Sequence, residues 1–89
     1  MAEKDFSKLL YSAVMTLETE EECKHLFEDL CTPKEIKSIA QRFAVAKMRS
    51  EGRIYNDIVK ETGASTATIS RVNRTMSKGS RTVLERLKD

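Results

Sequence analysis

Apolar residues fall three and four positions apart along most of this chain, and that spacing confines it to helices. Phe6, Leu9, Leu10, Ala13, Val14 and Leu17 lie on one stripe of a helix expected over about residues 5–17. Thr19 then offers an N-cap, with Glu22 placed to return the bond and Glu20, Glu21 and Glu22 at the positive end of the helix dipole. The stripe of this second helix is Cys23, Leu26, Phe27, Leu30 and Cys31. A third start is the clearest: Thr32 as N-cap, Pro33 where no N–H donor is needed, and Glu35 completing a capping box. Ile36, Ile39, Ala40, Phe43, Ala44 and Met48 continue the pattern until Gly52 provides a stop. Neither sustained alternation nor a hairpin dipeptide occurs, so the expected fold class is all-α.

Eighty-nine residues allow a single helical domain, 1–89. A chain of this length buries only about 60–65% of the surface exposed when unfolded, so its own core is small. Cys23 and Cys31 provide no disulfide framework, and no metal-type cluster staples the fold. Association of two copies, through helices at about residues 5–52, is the expected remedy. Apolar runs reach no more than four residues, against the roughly 20 that cross a bilayer, and the N-terminus lacks a secretory pattern. A cytoplasmic protein is expected, its two cysteines being free structural thiols.

After Gly52 the chain reads as helix, glycine turn, helix over about residues 55–78. Ile58 and Val59 point inward, Gly63 supplies the turn, and Ser65 or Thr66 caps a helix held by Ile69 and Val72. Its opposite side presents Ser65, Thr66, Ser70, Arg71 and Arg74. Hydroxyls and free N–H groups at a helix N-terminus suit phosphate oxygens, while an arginine one turn later can fork onto guanine O6 and N7. Composition does not say which arginine reads bases and which holds phosphate.

Charge is divided in the same sense. Residues 1–35 hold nine acids and four bases, whereas residues 36–89 hold five acids and twelve bases. From Thr62 to Leu84 there is no acid, and Arg71, Arg74, Lys78 and Arg81 are spaced to share one side of a helix. Double-stranded DNA is the partner this pattern suggests. An enzyme is not expected. The single histidine, His25, has no nucleophile or ligand set around it, and no phosphate loop or nucleophile elbow occurs, so no catalytic residue, cofactor or metal is assigned.

Two strings carry a family resemblance: "TPKEIKSIAQRFAVAK" at 32–47 and "GASTATISRVNR" at 63–74. Over roughly residues 6–88 the chain resembles the tryptophan-repressor superfamily, and within it the short repressor-related proteins of the YerC/YecD group. The resemblance implies a Trp-repressor-like six-helix chain whose last helix lies at about residues 80–88, an intertwined homodimer formed by the N-terminal helices, and one helix-turn-helix head per subunit. By the same resemblance an effector pocket would lie at Arg42, Thr68 and Arg71. The departure is Val72, where the repressor has glycine beside the ligand. Two extra methyl groups there count against tryptophan as co-repressor and leave any small-molecule effector unassigned. Tyr55 stands where the repressor has serine, so the first helix of the motif is expected to be poorly capped.

The function expected is that of a sequence-specific DNA-binding transcriptional regulator, a repressor acting as a homodimer. The rival reading is a helical interaction module whose helix-turn-helix docks a protein. A head from a transposase or sigma factor would belong to a longer chain, against which the ends at Met1 and Asp89 are expected to be the natural ones.

Overall fold

The computed structural model describes residues 4–88; Met1 and Asp89, the ends just named, lie outside them. Six helices follow one another: α1 (Ser7–Val14), α2 (Glu20–Leu30), α3 (Pro33–Ser50), α4 (Tyr55–Thr62), α5 (Thr66–Thr75) and α6 (Lys78–Leu87). The all-α expectation holds. The helices group into two compact units, residues 1–36 and 37–89, with the boundary inside α3.

In the first unit, local capping sets the helix ends. α1 stops at Val14, short of the expected Leu17, because Thr16 and Leu17 N–H groups bond the carbonyls three residues back and tighten the chain into a turn. Thr19 caps α2 by accepting from Glu22 N–H at 3.0 Å; the returning Glu22 carboxylate accepts from Glu18 N–H at 2.8 Å, one residue before the position a capping box would use. At the start of α3 the box is complete: Glu35 N–H donates to Thr32 Oγ1 at 3.1 Å, and Thr32 N–H donates to Glu35 Oε1 at 2.8 Å. The Thr32 backbone bond holds the Glu35 carboxyl below the usual carboxylate range.

No residue of α1 or α2 is buried. Phe6, Leu9, Leu10 and Tyr11 are exposed, Leu9 by 69% and Phe6 by 66%. The stripe read for α1 is therefore largely exposed, with Ala13 and Leu17 half-buried, and in α2 Cys23, Leu26, Phe27 and Cys31 are half-buried.

In the second unit, Val45, Ala46, Ile58, Ala64, Ile69 and Val72 form one buried cluster, with Met48, Tyr55, Val59 and Met76 packed around it. This corrects the stripe assigned to α3. The residues buried within the chain are Val45 and Ala46. The expected stripe is thus split: Met48 packs against the core and Ile36 and Ala44 are half-buried, whereas Ile39, Ala40 and Phe43 stay exposed. The helix ends in a Schellman motif at a left-handed Gly52 (φ 80°): Arg53 N–H bonds Met48 O and Gly52 N–H bonds Arg49 O, both at 3.0 Å.

Candidate nucleic-acid interface

Helices α4 and α5 pack on each other through Ile58 and Ile69, both fully buried, and Ala64 in the turn is 2% exposed. Gly63 is the C-cap of α4 at φ 74°, a left-handed conformation that a side chain rarely adopts, and its N–H closes on Val59 O at 2.9 Å. Thr62 braces the turn twice: its hydroxyl donates to Ile58 O at 2.7 Å and accepts from Ala64 N–H at 3.1 Å. From α3, the Gln41 side-chain amide donates to Thr62 O at 3.0 Å, tying the turn to the helix beneath it.

Of the two residues offered as caps for α5, Ser65 is the one used. Its Oγ accepts from Thr68 N–H and donates to Thr68 Oγ1, each at 3.1 Å. Thr66 opens the helix and is exposed. Beyond it the outward surface holds Ala67, Arg71 and Arg74, all exposed, with exposed Asn73 and half-buried Ser70 at its margins. Periodicity did not single out Ala67, whose small side chain lets a neighbouring surface approach closely, or Asn73. Neither Arg71 nor Arg74 forms a salt bridge among the described residues.

Lys78 and Arg81 are not on that helix. α5 ends at Thr75, Met76 turns extended (ψ 117°), and Ser77 restarts the chain, so Lys78 is the first residue of α6 and Arg81 lies one turn further. The expected shared side of one helix is broken between Arg74 and Lys78, and the last helix begins at 78, not 80. Ser77, a residue type favoured at N-caps, was the available signal.

α4 has no side-chain cap at Ile54, as the Tyr55 substitution led us to expect. Cover comes instead from Arg49, whose guanidinium carbon lies 5.1 Å from the centre of the Tyr55 ring. Nearby, Arg53 forms an ion pair with Glu61 that raises its already high pKa.

Four residues were assigned to an effector pocket. A cleft of about 280 Å³ is lined by Ile39, Arg42, Phe43, Ala46, Val72 and Met76 among others. Arg42 and Val72 thus share it, while neither Thr68 nor Arg71 is part of its lining. Thr68 is half-buried and committed to Ser65, and Arg71 is exposed. Val72, 7% exposed, is a core residue as well as a wall of the cleft.

The sequence profile of the Trp repressor protein family matches residues 6–89. The chain belongs to that family. Its members are DNA-binding regulators and not enzymes. The chain is 53% identical, over 70 residues, to the uncharacterized protein YerC of Bacillus subtilis (strain 168), a match covering 79% of this chain and 67% of that one. Among solved structures it resembles a TrpR-like protein from Eubacterium eligens ATCC 27750, with a TM-score of 0.86 and 51% identity over 90% of this chain and 86% of that one. A candidate Trp repressor from Staphylococcus aureus superposes with a TM-score of 0.84 and 43% identity over 96% and 95%. The fold of this chain is therefore Trp-repressor-like. No helix of the described residues is long and apolar enough to cross a membrane.

Proposed function

We propose that this chain is a sequence-specific DNA-binding regulator of transcription, repressing from the cytoplasm as a homodimer without a requirement for tryptophan. One observation carries the reading: a helix capped at its N-terminus by Ser65, braced from behind by Ile69 and Val72, that leaves Thr66, Ala67, Arg71 and Arg74 exposed with neither arginine in a salt bridge among the described residues. Free N–H groups at the start of α5 suit phosphate, and an arginine fork suits guanine in the major groove. Pairing of two copies is supported by the exposed stripe of α1 and by the outward apolar face of α3 at Ile39 and Phe43.

The test is selection of bound duplexes from random sequence, followed by titration of the enriched duplex. A recovered motif with two symmetric halves supports the reading. Recovery of no motif, together with capture of a protein by the same surface, would replace it with the interaction-module alternative.

A further inference from the structure

Arg49 stands outside the helix-turn-helix, near the C-terminal end of α3, yet it touches three parts of the head. Its Nη1 donates to Arg53 O at 2.7 Å, its guanidinium covers the Tyr55 ring, and its Nε donates to Asn73 Oδ1 at 3.4 Å. The first two contacts fix the guanidinium plane, so the Nε–H direction is set before Asn73 meets it. Asn73 is exposed on α5. It lies four residues after Ile69 and three before Met76, at the border between the buried stripe and the outward surface. A side chain at that border flanks a helix lying in a groove, where phosphates run, and does not reach the groove floor.

We propose that Arg49 and Asn73 form a phosphate-positioning pair that sets the seating of α5 on DNA. With Oδ1 turned to Arg49, the Asn73 amide presents its NH₂ group outward, as a donor to an acceptor-only phosphate oxygen. A freely rotating asparagine would offer oxygen half the time. The pair therefore adds affinity on every sequence alike and carries no base information itself. This inference rests on α5 being the DNA-contacting helix.

The experiment is a binding titration of the full chain on a selected duplex and on an unrelated duplex of equal length, each over a salt series. Asn73→Ala is expected to weaken both about fivefold to tenfold, the loss of one hydrogen bond to a charged group, with an unchanged melting temperature and an unchanged salt slope because no charge is removed. Asn73→Asp keeps the acceptor for Arg49 but loses the donor, and is expected to bind at least as weakly as Asn73→Ala. Arg49→Lys is expected to fail as Arg49→Gln does, since one ammonium cannot serve Arg53 O, the Tyr55 ring and Asn73 together. In a double-mutant cycle, Arg49→Gln with Asn73→Ala should lose no more than the worse single change.

Full rescue by Arg49→Lys, strictly additive losses, or wild-type affinity in Asn73→Ala overturns the pair. Should Arg49→Gln fail to fold, the two Asn73 variants decide the matter alone. Arg71→Ala with Arg74→Ala serves as the separate control: binding lost there but kept in Asn73→Ala rejects the pair only, whereas binding kept in both rejects the DNA-contacting helix as well.

Discussion

At Val72 one side chain is asked to do two things. It is buried in the core beside Ala46 and Met76, and it walls the cleft that Arg42 also lines. A ligand entering there must push against a packed β-branched residue, and such crowding costs about 1–3 kcal/mol, roughly a tenfold to hundredfold loss of affinity. Binding of the selected duplex is therefore expected to be the same with and without millimolar L-tryptophan. In Val72→Gly a response to tryptophan is expected to appear, although the lost side chain and the added glycine together destabilise the head by about 2–4 kcal/mol, so the assay is run well below the melting temperature. Tightening of the unmutated protein by tryptophan would show this account to be wrong. A second residue-scale effect belongs to Glu35. Its carboxylate accepts from Thr32 N–H, which lowers its pKa in the folded chain. The stabilisation is fully present above the unfolded value, about 4.3, and is lost as pH falls through the lower folded value. Glu35→Gln can still accept that bond but does not titrate, so a stability gap between the two proteins measured at pH 6 should narrow by pH 3.

Between residues and the whole chain, helix ends decide how the basic side chains are shared. Arg71 and Arg74 belong to α5, while Lys78 and Arg81 belong to α6. Arg71→Ala or Arg74→Ala should cost roughly 1–3 kcal/mol on the preferred duplex if that residue forks onto guanine, whereas Lys78→Ala should weaken all duplexes alike and flatten the salt slope by about one. A loss of sequence preference in Lys78→Ala would place that lysine in the groove instead. Gly63 gives a fold-side check: nothing lies within 4 Å of a Cβ built there, so Gly63→Ala meets only the strain of its positive φ and should destabilise by about 1 kcal/mol in chemical denaturation. The first five helices, the Thr32 capping box, the Gly63 turn and Ser65 as one of two possible caps were legible because each is a local rule written in neighbouring residues, whereas the sixth helix came from the resemblance. The break at Met76 and Ser77 was hidden by a basic spacing that happened to continue across it. Gln41, Arg49 and Asn73 gave no signal, because their roles arise from contacts 21 and 24 residues apart in sequence. The split stripe on α3 defeated periodicity for a different reason: spacing reports that a face is apolar, not which surface covers it.

For the molecule as a whole, the exposed α1 stripe and the outward face of α3 are the largest unmet demand. The chain is expected to sediment as a dimer at low micromolar concentration, with two heads spaced for half-sites about 34 Å apart along one face of DNA. A folded monomer under those conditions would remove the homodimer from the proposal. Leu9→Asp with Leu10→Asp is expected to yield monomers or unfolded chain and to abolish tight binding, while Ala67→Ser on the head leaves the sedimentation unchanged. The proposed pairing of two copies through Phe6, Leu9 and their neighbours would also shape how such a regulator answers to its own supply. Where dimers are scarce, their number rises as the square of the chain concentration, so halving synthesis would quarter the occupancy of a weakly filled site. If Val72 does exclude a co-repressor, as proposed, such a regulator would take its cue from dosage, with abundance serving as the signal that a ligand would otherwise supply.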